Sequence, residues 1–227
     1  MIKQNCENCP FKDFGYVPPE LKPNSDILFV GQNPGQEELK IGYPFCHKGN
    51  SGKLLRSYIE ELDKKGLIYS ITNALKCGTP NNKTPTPKQV QVCIDKLQED
   101  IKFTTPKLIV ALGKPALTAL TGLKTGILKL NGHILRQYNP PIAVCVHPSF
   151  VNRRGRDLKI FEKGILPALK YFDKEIKVEY KEVITILPTE EEIGFDIETD
   201  SLQPHLGKIK CFSVSDGNTA LFVEIEE

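Results

Sequence analysis

The sequence has no long hydrophobic run, no apolar leader and almost no net charge. No stretch of its 227 residues is long and apolar enough to span a bilayer, and residues 1–5 lack the apolar core of a signal peptide. We therefore expect a cytoplasmic protein with no membrane partner. Because its 30 basic and 28 acidic residues nearly cancel, a polyanionic partner would have to bind at a local basic face.

What the chain does have is ordinary globular composition, with 40% hydrophobic and 26% charged residues. This length can bury a full core and can hold one domain plus part of another. In a cytosolic chain, the seven cysteines favour metal ligation or plain burial over disulfides.

The apolar run 27–30 stops abruptly at the sequence GQNPG. This pattern is typical of a buried parallel strand that delivers a loop at its carboxyl end, where open α/β sheets bind ligands. Gly31 and Gly35 let the backbone approach a substrate closely. Gln32 and Asn33 carry amides that can orient a water or a base edge, but they cannot take a proton as a carboxylate does. A merely structural turn is the alternative.

Strands alternate with helices along the next part of the chain. Buried strands are predicted around Ile71 and at 107–113 and 142–146, and helices over 54–62, from Thr86-Pro87 through Cys93, over 116–120 and over 158–172. This alternation predicts an α/β fold with three αβα layers and a mainly parallel sheet, whose loops meet at one edge.

Four cysteines lie in three separate segments of this region. Cys6 and Cys9 form a C-x-x-C pair, Cys77 closes the second predicted strand, and Cys93 lies in a predicted helix. Four thiolates brought together would suit zinc or an iron–sulfur cluster. A lone C-x-x-C is also compatible with a redox pair or with chance, and Cys93 with simple core packing.

Two further loops add candidate site residues. Phe45 lies in a glycine-bounded loop and would serve either as a core plug or as a stacking platform for a base. His147 and Ser149 follow the strand 142–146, with Arg153 close behind. The imidazole can donate to a developing anion, while the hydroxyl and the arginine can hold phosphates. Alternatively, His147 has a structural role and the arginine is part of a solvated helix cap.

Six motifs in order resemble those of family-four uracil-DNA glycosylases. The resemblance covers roughly residues 4 to 172, and its motifs are residues 31–38, 43–45, 72–77, 84–87, 112–116 and 147–149. It implies that Phe45 stacks on an extruded uracil, that Asn73 reads the pairing edge of the base and that His147 bonds its O2. It also implies a [4Fe–4S] cluster on the four cysteines of the matching positions, Cys6, Cys9, Cys77 and Cys93.

The chain departs from that family at the first motif. Family-four enzymes usually have Glu-Ala where this chain has Gln32-Asn33, so the carboxylate is missing; Asn33 instead resembles the mismatch-specific and single-strand-selective relatives. Cleavage can still proceed if the departing uracil anion is stabilised. Since base flipping costs a few kcal/mol, the expected partner is uracil-containing DNA, preferably single-stranded or mismatched, bound by a monomer.

From residue 176 the pattern becomes β-rich, which predicts domains at 1–175 and 176–227. Asp196 and Glu198 alternate onto one face of a predicted strand, where two carboxylates can share a divalent metal, or are simply solvated. This strand resembles the first motif of DEDD-type 3′–5′ exonucleases, and we expect residues 176–227 to be the truncated start of such a domain. This strand and the missing carboxylate at Gln32-Asn33 together suggest a rival to the enzyme hypothesis: a catalytically weak uracil- or DNA-binding module heading a phage-like family-A DNA polymerase.

Overall fold

The computed structural model describes residues 6–7, 9–152 and 158–173, together with the backbone of three strands between residues 194 and 224. The chain divides into two compact units, Met1–Tyr171 and Phe172–Glu227. The predicted domain boundary at 175/176 and the expected substrate contact Arg153 lie outside the described residues. In the part that is described, no helix is long and apolar enough to cross a membrane.

The first unit is built on a five-stranded sheet. Its strands are β1 (Ile27–Gly31), β2 (Tyr69–Asn73), β3 (Leu108–Leu112), β4 (Ile134–Leu135) and β5 (Ile142–Cys145). Its helices are α1 (Gln36–Ile41), α2 (Asn50–Lys64), α3 (Pro87–Gln91), α4 (Ile94–Thr104), α5 (Lys114–Thr121), α6 (Ile127–Leu130), α7 (Ser149–Asn152) and α8 (Lys159–Leu169).

The strand order is β2-β1-β3-β5-β4. All neighbouring pairs are parallel except β4 with β5, so the predicted mainly parallel α/β sheet is confirmed. The four parallel strands therefore end at the same edge, and in the β1–β2 pair Gly31 lies directly opposite Asn73. Helices α1, α6 and α7 and strand β4 were not predicted, because they are short and leave little periodic signal.

Helices cover the sheet and bury it. Alternate residues of the central strands, such as Leu28, Ile109 and Val144, form one core cluster together with side chains of α3, α4 and α5. Helix α8 packs on β5 and against α2, and its Phe161 meets Tyr58 of α2 edge to face. Because both faces of the strands are buried, each central strand reads as a continuous apolar run.

The N-terminal arm runs antiparallel along the outer edge of β2. Isolated bridges join Tyr16 to Cys77 and Glu20 to Ile71, and the Val17 N–H donates to the Lys76 carbonyl over 3.0 Å. The arm thereby covers an otherwise open sheet edge.

The predicted helix through Cys93 is in fact two helices. Thr86 caps α3 as expected, with its hydroxyl accepting from the Gln89 N–H. Cys93 then stands between α3 and α4 in a non-helical conformation, φ −107° and ψ 9°. The sequence hides this break because the apolar spacing of Val90, Ile94 and Leu97 continues across it.

The second unit contains the antiparallel strands β6 (Gly194–Thr199), β7 (Ile209–Ser215) and β8 (Ala220–Glu224), in that order. Positions 196 and 198 lie on β6, for which only the backbone is described. A divalent metal on Asp196 and Glu198 therefore stays a prediction. The part of the predicted β-rich region from residue 176 to residue 193 also lies outside the described residues.

A buried ion pair ties the end of β2 to α4. Lys76 is only 3% exposed, and its ammonium donates to the Asp100 carboxylate, to the Thr72 hydroxyl and, over 2.8 Å, to the Asn73 carbonyl. Burial lowers the pKa of Lys76, while the charge of Asp100 opposes that change. The pair thus supports the strand end that carries Asn73.

We predict that Lys76→Met lowers the free energy of unfolding by about 3–5 kcal/mol, because it leaves the Asp100 carboxylate buried without a counter-ion. The double variant Lys76→Met/Asp100→Leu should regain most of this loss. Urea denaturation followed by circular dichroism measures both.

The matched control is Lys107→Met. It breaks the Lys107–Asp26 pair, whose lysine side chain is 68% exposed, and should cost about 1 kcal/mol or less. Equal losses for Lys76→Met and Lys107→Met would show that the Lys76 pair contributes no more than a surface contact.

Candidate active site

Gly31 makes room for two candidate site residues at the shared edge of the sheet. A Cβ added to Gly31 would lie 2.2 Å from Asn73 Oδ1 and 2.7 Å from the Phe45 ring. Distances this short are not tolerated between such atoms, so any side chain at this position would displace one neighbour or both. The glycine therefore allows Asn73 and Phe45 to approach the same point of the backbone.

Asn73 presents a buried acceptor with no donor. The residue is 4% exposed, and its Oδ1 has no hydrogen-bond partner within the described residues. An unsatisfied buried polar atom costs about 1–3 kcal/mol. A ligand that brings an N–H group to this point would remove that cost.

The Phe45 loop is held by two charged side chains. The Glu38 carboxylate accepts from the backbone N–H groups of Gly35 and Phe45. Arg56 donates to the Phe45 carbonyl over 2.6 Å and to the Pro44 carbonyl over 2.9 Å. Burial raises the pKa of Glu38, and its two backbone donors act in the opposite direction. These contacts hold Phe45 in a left-handed conformation with φ +49°.

Sequence reasoning assigned no role to either of these residues. The sequence does contain an indication of the role of Glu38. An acidic residue three positions after a helix cap is typical of a side chain that reaches back to the cap N–H. There is no such indication for Arg56, because its partners are backbone carbonyls in a different loop.

Phe45 and His147 contact each other. Their ring centroids are 5.6 Å apart and the ring planes are inclined by 37°. Phe45 is only 2% exposed, so a base that stacks on it has to enter the protein interior. One ligand at this place would meet the Phe45 ring, the Asn73 amide and the His147 imidazole.

The loop after β5 fixes the proton of His147. Its Nδ1 is 2.9 Å from the Ser149 hydroxyl and accepts from the Ser149 N–H over 3.2 Å. In neutral imidazole the nitrogen that accepts carries no hydrogen, so the proton is on Nε2. His147 can therefore donate from Nε2. Ser149, predicted as a substrate contact, is engaged with the histidine ring here, and its direct role in substrate binding stays a prediction.

Gln32 and His147 line one open cleft of about 360 Å³. A Cβ on Gly113, which has φ +92°, would lie 2.3 Å from Gln32 Nε2 and 3.0 Å from His147 Cβ. The absence of a side chain at Gly113 thus lets Gln32 and His147 pack against its backbone. The other lining residues are Thr84, Lys114, Pro115, Ile127, Val146, Ser149 and Phe150, together with Gly113 itself.

Asn33 is directed elsewhere. Its Nδ2 donates to the Pro34 carbonyl over 3.1 Å and to the Thr79 hydroxyl over 3.3 Å. This links the first loop to the loop after β2. The predicted positioning of water by Gln32 and Asn33 stays a prediction for both, but only Gln32 lines the cleft with His147.

The predicted thiol ligands come together away from this cleft. Cys9, Cys77 and Cys93 pack around Phe11 and Leu75. Burial raises the pKa of Cys77 to about 11, and negative charge on Cys93, Cys9 and Cys6 acts in the same direction. Cys6, Cys9 and Cys93 therefore all lie near enough to Cys77 to affect its thiol.

The donor set indicates which group would fit. Among the described residues no cluster of three or more His, Cys, Asp or Glu side chains is arranged to hold a single metal ion. In a four-iron cluster, by contrast, each thiolate binds a different iron. Four converging thiols with no carboxylate or imidazole among them fit that arrangement.

Comparison with known proteins agrees with this geometry. The chain is 33% identical to a type-4 uracil-DNA glycosylase of Thermotoga maritima over 178 residues, which cover 76% of this chain and 92% of that protein. It is 32% identical to a type-4 uracil-DNA glycosylase of Pyrobaculum aerophilum over 173 residues, or 71% of this chain and 87% of that protein.

A third relative is longer. The chain is 27% identical over 141 residues to a DNA polymerase of Bacillus phage SP01, covering 61% of this chain but 15% of the polymerase. Residues 18–170 match the uracil DNA glycosylase superfamily. This match spans the whole sheet and every residue that meets at its carboxyl edge, and the chain therefore belongs to the uracil DNA glycosylase superfamily.

Proposed function

We propose that the protein hydrolyses the N-glycosidic bond of an extruded uracil in DNA. The observation that carries the proposal is the buried Asn73 Oδ1, which has no donor among the described residues. Uracil presents an N3–H on its pairing edge, which satisfies this oxygen, while the Asn73 amide N–H₂ donates to O4. Cytosine presents the opposite pattern and would leave both groups unsatisfied.

The side chains at the sheet edge divide the work. Phe45 stacks on the base and Asn73 selects it. The C1′–N1 bond breaks with its electron pair on uracil, and the His147 Nε2–H donates to O2 as negative charge builds there. A water then bonds to C1′ and gives its proton to the departing base or to solvent. Gln32, on the cleft wall with His147, orients this water through its amide.

The substrate is DNA in which the uracil leaves the stack easily. Phe45 and Asn73 are buried, so the nucleotide must be fully extruded to reach them. Extrusion costs a few kcal/mol, and least for an unpaired base. Single-stranded and mismatched uracil are therefore the favoured substrates.

The proposed cofactor is a [4Fe–4S] cluster on Cys6, Cys9, Cys77 and Cys93. When bound, it supplies iron–thiolate bonds that join the N-terminal arm, the segment after β2 and the break between α3 and α4. The chain's own contribution is to pack Cys77 and Cys93 in one cluster with Phe11 and to support the residue before Cys77 through the Lys76 ion pair.

A second candidate function is favoured by the similarity to the SP01 DNA polymerase. In it, the chain is a catalytically weak uracil- or DNA-binding module of a phage-type polymerase with a proofreading exonuclease, to which Asp196 and Glu198 would supply metal ligands. Incubation with single-stranded DNA containing one uracil separates the two. Free uracil appears only if the protein is a glycosylase, whereas binding without release would favour the module.

We predict that His147→Ala lowers the single-turnover rate of uracil release by about 10²–10³-fold, the usual effect of losing one preorganised donor to a developing anion. Gln32→Ala and Asn33→Ala should each cost less, because these amides only orient water or brace a loop. If either amide variant loses far more activity than His147→Ala, with folding and iron content intact, the assignment of roles is wrong.

We predict that Gly31→Ala lowers the same rate by about 10²-fold, because the added Cβ displaces Asn73 or Phe45 by about 1 Å or more. The control is Gly126→Ala, where a Cβ meets nothing within 4 Å, and it should keep wild-type activity. Wild-type rates for Gly31→Ala would place base recognition away from this edge of the sheet.

We predict that anaerobically purified protein is brown and holds about four irons per chain. Cys77→Ala should lose iron, because one of the four ligands is gone, whereas Cys46→Ala should retain it, since Cys46 is a buried free thiol outside the ligand set. Iron analysis of the three proteins measures this. A colourless wild-type protein with a single zinc would contradict the cluster.

A further inference from the structure

A second cleft lies between α3 and α5. It has a volume of about 420 Å³ and is lined by Pro87, Gln91, Lys114, Thr118, Gly122 and Lys124. Its charged lining residues are both lysines, and both are exposed. Neither lysine forms an ion pair with any residue in the described part of the chain.

This cleft continues the active-site cleft. Lys114, the first residue of α5, lines both clefts, and Lys124, just beyond the end of α5, lines the second. Within the described residues, no carboxylate lines either cleft. A polyanion that enters at His147 and passes Lys114 therefore meets only positive charge and neutral groups of the cleft lining as far as Lys124.

The α5 wall of the cleft is long enough for a short piece of nucleic acid. Helix α5 has 8 residues and so extends about 12 Å at 1.5 Å per residue. At a stacked rise of about 3.4 Å per nucleotide, this distance accommodates about three nucleotides.

We propose that the α3–α5 cleft binds the phosphodiester backbone of the DNA strand on one side of the extruded uracil. Lys114 and Lys124 neutralise phosphates, and the Gln91 amide donates to phosphate oxygens. Contacts to phosphates carry no base information, so this contact is independent of sequence. The inference rests on the proposed function, because the uracil defines where the strand enters.

The first test is the salt dependence of kcat/KM on a single-stranded 15-mer with a central uracil. Removing one lysine–phosphate interaction should reduce the slope of log kcat/KM against log salt by about 0.7, and Lys124→Glu should show at least this reduction. Lys124 is the residue to change, since Lys114 also lines the active-site cleft.

The matched control is Lys102→Glu, the same charge change at another exposed lysine. Lys102 is in the last turn of α4, just before β3 begins, and so lies near the opposite edge of the sheet. It should keep the wild-type slope. If Lys124→Glu and Lys102→Glu have the same slope, the proposed cleft does not bind DNA.

The second test shortens the substrate. In two series, the nucleotides 5′ of the uracil or those 3′ of it are removed one at a time. The wild-type kcat/KM should fall when one side of the uracil, and only that side, is shortened below about three nucleotides. Over the same shortening, the difference in kcat/KM between wild type and Lys124→Glu should disappear. An advantage that persists on the shortest substrates of both series would overturn the proposal.

The inference and the proposed function fail separately. If the wild-type protein releases uracil but Lys124→Glu behaves as Lys102→Glu, only the cleft is wrong. If the wild-type protein releases no uracil, the glycosylase proposal fails. Fluorescence anisotropy with labelled uracil-free single strands then tests the cleft by itself, and equal affinities of wild type and Lys124→Glu would exclude it.

Discussion

The candidate site depends on the register between β1 and β2. In that pair Gly31 lies directly opposite Asn73, and the missing side chain of Gly31 leaves the space that the Asn73 amide and the Phe45 ring occupy. A slip of one residue would turn the neighbouring side chains to the other face of the sheet. The buried apolar strands therefore do more than form a core, because their register decides which polar group reaches the edge.

The segment that follows β2 combines three tasks within a few residues. Asn73 supplies the unsatisfied acceptor, the Lys76 ammonium holds the Asn73 carbonyl over 2.8 Å, and Cys77 packs with the other cysteines. The Asn73 amide and the cysteines thus share one support, the buried pair of Lys76 with Asp100. A change that loosens the thiol site will also disturb Asn73, even though the cysteines do not line the active-site cleft.

Sequence patterns predicted the parts of this structure that follow from local rules. A buried strand that stops at a glycine or a polar residue marks the carboxyl edge of a parallel sheet, which placed Gln32, Asn73 and His147 together. The break at Cys93 and the support of Phe45 by Arg56 could not be predicted in this way. Both are decided by partners distant in the sequence, while the local apolar spacing continues as if nothing had changed.

The absence of a carboxylate at Gln32-Asn33 changes which interaction must stabilise the reaction. A carboxylate in that loop would activate water, but it would also place negative charge near a departing uracil anion. An amide stands there, and no acidic side chain of the described residues lines the cleft, so the proposed reaction assigns stabilisation of the anion to His147. The Ser149 N–H donates to Nδ1, and an imidazolium would set an N–H against that donor. In the neutral ring this contact leaves the proton on Nε2, and in the proposed reaction His147 stabilises the anion by donating it in a hydrogen bond.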